Sequence, residues 1–136
     1  MRVVLDTNVL VSGILSAQSH PGRIVDWVRT ATLTPAVDDR ILAEYADVLR
    51  RPYFRRYFSL HEAETMLDFL HRESDYVVCS GSTLRLPDPD DVPFLETALA
   101  LSIPLVTGNL RHFPEEQRQN CIVVSPRQFV EHWDGA

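Results

Sequence analysis

Short apolar runs alternate along this chain with longer amphipathic segments, and that alternation constrains the fold more than any other feature. Val3-Val4-Leu5, part of Thr32–Val37, Asp75–Cys79, Pro104–Val106 and Cys121–Val124 have the length and make-up of strands, with Pro35 weighing against the second. The segments between them repeat apolar residues at helical spacing. Residues 22–30 bring Ile24, Val25, Trp27 and Val28 together. Asp38-Asp39 reads as an N-cap and first turn, followed by a helix to about Arg50 with the stripe Ile41, Leu42, Tyr45, Val48 and Leu49, closed by Pro52. Leu60–Arg72, Asp91–Leu101 and Pro126–Trp133 read as further helices, with Pro93 acceptable in a first turn. Residues 80–91, punctuated by Gly81, Pro87 and Pro89, read as a loop.

Strands alternating with helices predict an α/β fold: a mainly parallel sheet of four or five strands in a three-layer α/β/α domain. The length, 136 residues, suits one domain spanning 1–136. Ligands of such sheets sit beyond the carboxyl ends of the strands, so the residues that follow each strand are the place to look for chemistry.

Composition narrows the chemistry. No window approaches the roughly 18 consecutive apolar residues of a membrane span. The N-terminus reaches Asp6 before a signal-peptide core could form, so no membrane association and a cytoplasmic location are expected. Cys79 and Cys121 have no clustered His or Cys partners, which argues against zinc and for two small buried hydrophobes. The formal net charge of −6 argues against a protein that coats nucleic acid, and it is compatible with one that gathers carboxylates around a cation. All 13 basic residues are arginine.

Three acids stand where solubility explains them poorly. Asp6 ends the first strand; its alternative role is to cap the following turn, with Thr7 and Asn8 as turn formers. Glu44 flanks the apolar stripe, one turn from Ile41 and from Val48; its alternative is a boundary glutamate reaching solvent. Asp91 opens a helix three and four residues before Phe94 and Leu95; its alternative is a plain N-cap. Thr107 and Asn109 close the strand 104–106 and are expected at the same sheet edge as Asp6. Carboxylates with hydroxyl and amide neighbours make a hard oxygen site, suited to Mg²⁺ or Mn²⁺.

Asp6-Thr7-Asn8 after a first strand, Glu44 on a helix, Asp91 heading Phe94-Leu95-Glu96-Thr97-Ala98, and Leu105-Val106-Thr107-Gly108-Asn109 resemble, in order and over nearly the whole chain, the PIN domain family. Asp88-Pro89-Asp90-Asp91 before Phe94-Leu95 is similar to the toxin components (VapC-like) of bacterial and archaeal toxin–antitoxin pairs. The resemblance implies a metal-dependent endoribonuclease. It places Asp6, Glu44 and Asp91 as catalytic acids, with Asp6 and Asp91 as direct ligands of Mg²⁺ or Mn²⁺ and Glu44 as a ligand through water or the group that orients the attacking water. Thr7, Asn8, Thr107 and Asn109 take supporting positions. It further implies an RNA substrate, a homodimer and a cognate antitoxin protein. The family's fourth acid falls where this chain has Asn109 or His112, and that departure keeps open a second reading, a catalytically weak PIN domain serving as a binding or scaffold module.

Arg50-Arg51-Pro52-Tyr53-Phe54-Arg55-Arg56-Tyr57 is the densest basic segment. Its arginines Arg50, Arg51, Arg55 and Arg56 are candidate phosphate contacts and its aromatics candidate stacking groups; the alternatives are a helix connection with a solvated charged face and an antitoxin-binding surface. Two rival readings fail for want of lysine. A phosphatase of the haloacid dehalogenase type also needs a second Asp where Asn8 stands, and a receiver domain shares the lysine requirement.

Overall fold

The structure, a computed structural model, describes residues 1–133 apart from Ser80 and Ser82. Its centre is a parallel five-stranded sheet in the order β3-β2-β1-β4-β5, from β1 (Arg2–Leu5), β2 (Thr34–Val37), β3 (Asp75–Tyr76), β4 (Leu105–Val106) and β5 (Val123–Val124). Helices flank it: α1 (Thr7–Leu15), α2 (His20–Arg29), α3 (Asp39–Leu49), α4 (Leu60–Glu73), α5 (Val92–Leu101) and α6 (Pro126–Trp133). The first strand in the chain is thus the middle strand of the sheet, and the chain folds outward from it on both sides. Val3, Val4, Leu105 and Val106 are fully buried, as strands covered on both faces must be. One contiguous core runs from β1 to α6. Among the described residues, no helix is long and apolar enough to cross a membrane.

Pro35 sits in an inner strand without breaking it. It pairs with Val3 of β1, while β3 joins only from Ala36, paired with Asp75. The Thr34 amide bonds to Met1 O on the β1 side, so the missing N–H of Pro35 faces the opposite side, ahead of the point where β3 begins. The same end effects shorten the outer strands. Expected over Asp75–Cys79, β3 stops at Tyr76: Val77 N reaches Val37 O, the last residue of β2, and beyond it Val78 is 97% exposed. Expected over Cys121–Val124, β5 starts at Val123, opposite Leu105 at the start of β4; the Cys121 amide turns back to Arg118 O.

The sequence reading of Thr7 and Asn8 as turn formers needs correction: they open α1. This helix carries apolar residues over most of its surface (Val9, Leu10, Val11, Ile14, Leu15), and its polar face is only the narrow exposed stripe of Asn8 and Ser12, too little for a helical period to reveal. It forms because it is sandwiched, and Gly13 allows α2 to approach closely. A Cβ on Gly13 would lie 2.3 Å from Val25 Cγ2 and 2.6 Å from Pro21 O. At the far end, α6 closes on α2 through an edge-to-face contact of Phe129 with Trp27, centroids 6.3 Å apart. Pro52 starts a 3₁₀ turn, Pro52–Arg56, that carries the arginine and aromatic segment. The expected loop 80–91 contains a second such turn, Pro89–Asp91; Ser80 and Ser82 lie outside the described residues.

Because the space at Gly13 is taken by backbone as well as side chain, Gly13→Ala should lower stability by about 1–3 kcal/mol, the usual cost of overpacking. Urea unfolding would show a lower midpoint with an unchanged slope. Gly81→Ala, where an added Cβ meets nothing within 4 Å, should leave the midpoint where it is.

Candidate active site

Parallel pairing puts the carboxyl ends of β1 and β4 side by side, since Leu5 pairs with Val106. The residues that follow, Asp6 and Thr107, are therefore neighbours. Thr107 Oγ1 donates to Asp6 Oδ2 at 2.8 Å, and Asn8 Nδ2 donates to the same oxygen at 3.3 Å. The Gly108 amide donates to Asn8 Oδ1 at 2.9 Å, and the Asn109 amide to Thr107 Oγ1 at 3.0 Å. Asp6 and Asn109 thus share the sheet edge expected for them.

Glu44 comes from the middle of α3 and reaches the start of α1, where its carboxylate accepts a hydrogen bond from the Thr7 hydroxyl. One residue on, the fully buried Tyr45 donates its hydroxyl to Leu5 O at 2.5 Å, which docks α3 against the end of β1. Asp91 arrives on the 3₁₀ turn before α5, shaped by Asp88, whose Oδ1 accepts from the Asp90 amide at 2.9 Å.

Neither aspartate does the capping work that was its alternative role. Asp6 precedes α1 and Asp91 precedes α5, yet neither side chain makes a capping hydrogen bond. Glu44 is half-buried and bonded to Thr7, which is not the free boundary position of its own alternative. The caps in this chain lie elsewhere, for instance Asp38 Oδ1 accepting from the Ile41 amide at 3.0 Å.

Asp6, Glu44 and Asp91 line one open cleft of about 350 Å³ together with Thr7, Asn8, Ser12 and His112, with Val11, Val48 and Phe54 as apolar walls. Thr107 is fully buried beneath Asp6, and the Asn109 side chain sits behind His112, its Nδ2 2.9 Å from His112 Nε2. His112 Nδ1 lies 3.0 Å from Asp91 Oδ2, an ion-pair contact without hydrogen-bond geometry, so that buried oxygen has no hydrogen-bond partner. Sequence reasoning named His112 only as a position where the family's fourth acid falls and Phe54 only as a stacking candidate, and it passed over Ser12; the meeting of α1, α3, the turn Pro52–Arg56 and the turn after β4 brings these to the cleft.

The electrostatics follow from burial without compensation. Asp6 and Asp91 are 5% and 8% exposed. Burial raises the pKa of Asp6, offset in part by the hydrogen bond from Thr107. Burial also raises Glu44, opposed by the bond from Thr7 and reinforced by the charges of Asp6, Asp90 and Asp88. Asp91 is pushed up to about 6, first by burial and then by the charge of Asp6, with His112 pulling the other way. Among the described residues, no group of three or more His, Cys, Asp and Glu side chains is placed to hold a metal ion as it stands. The expected convergence of the three acids is therefore a shared cleft, looser than a finished ligand shell.

The basic segment divides in two. Arg50 pairs with Glu64 at 2.7 Å, Arg51 with Asp47 at 3.1 Å, and Arg55 donates to Leu49 O at 2.5 Å while lying over Phe58. Arg56 lies over the rings of Tyr53 and Tyr57. Cys79 and Cys121 are free thiols, half-buried, and burial raises Cys121 to about 11, where it is inert.

Comparison with known proteins agrees with this fold. An uncharacterized protein from Methanocaldococcus jannaschii is 26% identical over 145 residues, covering 98% of this chain and 92% of its own. The fold is similar to that in the crystal structure of VapBC2 from Rickettsia felis bound to a DNA fragment from their promoter, with a TM-score of 0.63 and 19% identity over 92% of this chain and 98% of that one. The model of the PIN domain matches residues 2–111, from β1 past β4 and Asn109. The chain belongs to the PIN domain family.

Proposed function

We propose that this protein is a Mg²⁺- or Mn²⁺-dependent endoribonuclease that hydrolyses RNA phosphodiester bonds, acting as the toxin component of a toxin–antitoxin pair in the cytoplasm. PIN domains are in general nucleases, which supports hydrolysis at the coarse level. The observation that carries the finer reading is a contrast between two groups of buried acids. Asp38 and Glu96, 6% and 7% exposed, share the guanidinium of Arg40, at 2.7 Å and 2.9 Å. Among the described residues, Asp6, Glu44 and Asp91 have no guanidinium partner; the cationic influence on Asp6 and Asp91 is a half-exposed histidine, and Glu44 meets only the hydroxyl of Thr7 and neighbouring acids. Buried carboxylates left unpaired are costly, and a chain that pairs one group and leaves the other bare keeps the second for an external cation.

The donors fit a small, hard cation. All are oxygens, and Asp91 Oδ2 is buried with no hydrogen-bond partner. Mg²⁺ dehydrates reluctantly and is usually held by one or two carboxylates with several waters retained, which suits a loose cleft better than a closed shell. Asp6 and Asp91 would hold it directly, with Thr107 fixing the rotamer of Asp6. Such a cation lowers the pKa of a bound water and offsets charge developing on the phosphate. Glu44, oriented by Thr7, takes the position of the group that aligns the attacking water and accepts its proton; its raised pKa brings it nearer to neutrality as a base. Val11, Val48 and Phe54 wall one side of the cleft and limit its water.

The toxin role rests on the resemblance in sequence and on the likeness of fold to VapBC2, which also supports a cognate antitoxin as partner; the homodimer rests on the resemblance in sequence alone. One observation favours the second reading, a catalytically weak scaffold: the fourth acid position holds Asn109, whose amide engages His112, and His112 in turn contacts Asp91. Cleavage of a mixed RNA panel in Mg²⁺ or Mn²⁺ separates the two. Asp6→Asn should fold normally and cut at least about a hundredfold more slowly, the scale seen when a preorganised electrostatic group is lost. Equal rates for both proteins would reduce Asp6 to a structural residue and defeat the mechanism.

The raised pKa of Asp91 gives a second prediction. An acid whose pKa rises on folding binds its proton more tightly in the folded chain, so protonation favours folding. That advantage is present at low pH and is lost as pH rises from 3.8 through about 6. In EDTA, the melting temperature of the wild type should fall relative to Asp91→Asn across this window. Millimolar Mg²⁺ or Mn²⁺ should narrow the gap above pH 6 by binding the ionised site. A gap that ignores both pH and metal would show that Asp91 is not part of a cation site.

A further inference from the structure

The 3₁₀ turn Pro52–Arg56 and the two residues after it sort their aromatics into two pairs, each four residues apart. Phe54 and Phe58 face inward and stack, centroids 5.5 Å apart and planes 15° apart; Phe58 is buried. Core packing explains both. Tyr53 and Tyr57 face outward, 60% and 54% exposed, with centroids 5.9 Å apart. Core packing explains neither. Two large rings held side by side in water with a cation over them form an amphipathic surface looking for a partner.

The cation is Arg56, its guanidinium 5.3 Å from the centroid of Tyr53 and 5.9 Å from that of Tyr57. Arg50 and Arg51 of the same segment are paired with Glu64 and Asp47; Arg55 is half-buried over Phe58, giving one N–H to Leu49 O while its Nε and Nη1 have no hydrogen-bond partner. Among the described residues, Arg56 has no carboxylate partner and keeps its charge for something else. The patch is also continuous with the acidic cleft. Phe54 forms part of the cleft wall with Asp6, Glu44 and Asp91, and its ring lies edge-on to Tyr53 at 5.2 Å. A molecule lying across the two tyrosines therefore has an uninterrupted aromatic path to the carboxylates.

We propose that Tyr53, Tyr57 and Arg56 form a stacking platform that takes an unpaired base and the adjoining phosphate of single-stranded RNA entering the cleft. The proposal rests on the ribonuclease reading above and adds a substrate-binding surface outside the carboxylate cleft. Exposed aromatic faces stack on any base, and an arginine beside them takes phosphate; this pairing of groups is how single strands are bound without reading sequence. A duplex hides its base faces and cannot use the platform. The platform also compensates, locally, for a chain whose net charge of −6 repels RNA.

The test is binding, so that it stands apart from cleavage. Asp6→Asn protein and a labelled 12-nucleotide RNA, single-stranded or annealed to its complement, are compared by fluorescence anisotropy. Single-stranded RNA should bind more tightly than the duplex. Tyr53→Leu with Tyr57→Leu, which keeps apolar bulk and removes the rings, should weaken single-strand binding about tenfold or more, and Tyr→Phe at both sites should restore it. Arg56→Gln should reduce the salt dependence by about one phosphate contact. All the substitutions are at exposed positions, and melting temperatures near that of the parent would confirm intact folding. Unchanged affinity in the double Leu variant overturns the proposal, as does equal affinity for the duplex. A double Leu variant that keeps its RNA affinity and changes its oligomeric state overturns it too, and assigns the patch to a protein interface. If the wild type cuts no RNA but binding still follows the tyrosines, the cleavage reading fails and the platform stands.

Discussion

The hydroxyl of Thr107 donating to the carboxylate of Asp6 joins the carboxyl ends of β1 and β4, and the site is organised around that bond. It exists because the two strands are parallel neighbours in register, so that the residues just past Leu5 and Val106 face each other. From this junction the other contacts follow in order. Asn8 can reach back to Asp6 only because Thr7 opens a helix at once, and the turn after β4 is held by Gly108 N on Asn8. Asp6 is thereby buried and fixed at the point where three chain segments meet. The first strand being the middle strand of the sheet is what allows this, since α3 and α5 can then both bring residues to its end.

Fixing a carboxylate there has a cost that the fold offsets only in part. Desolvation raises Asp6, Glu44 and Asp91 together, and each charge raises the next. Elsewhere the same chain solves this problem with one arginine: Arg40 reaches Asp38 at the start of α3 and Glu96 inside α5. That ion-paired group also ties α3 to α5, so it is structural in effect as well as in composition. The cleft has the opposite design: Asp6 and Glu44 are oriented by neutral hydroxyl and amide donors, and Asp91, among the described residues, meets only His112. Neutral donors fix a carboxylate without satisfying its charge, and this leaves the charge available to a bound cation.

Much of this was readable in the sequence wherever the information was local. Strand ends announced Asp6 and Thr107, the helical stripe of α3 placed Glu44 beside its buried face, and Asp38 looked like the cap that it is. Two kinds of information were not local. Helix α1 was missed because its polar face is reduced to Asn8 and Ser12 among apolar neighbours, and its Val, Ser, Gly and Ile residues are weak helix formers. The pairings that decide function span long stretches of chain: Thr7 with Glu44, Arg40 with Glu96, Asp6 with Thr107. The basic segment shows the same limit. Four arginines in eight residues looked equivalent, and only the fold separates three that are engaged in structure from Arg56 on its exposed tyrosines.

The charge balance also orders the events of the proposed reaction. A cleft with three carboxylates in a chain of net charge −6 repels a polyanion, and the apolar wall beside it lowers the screening that water would give. RNA therefore gains little from the cleft until the carboxylates are neutralised, whereas a divalent cation gains most from it while they are bare. A cation held by Asp6 and Asp91 would invert the local field and make the same cavity favourable to phosphate. Coupling of this kind is reciprocal, so phosphate bound in the cleft must hold the cation as firmly as the cation holds phosphate. The looseness of the three acids then has a physical sense: a shell completed by protein alone would bind the cation well and leave no coordination position for the substrate oxygen.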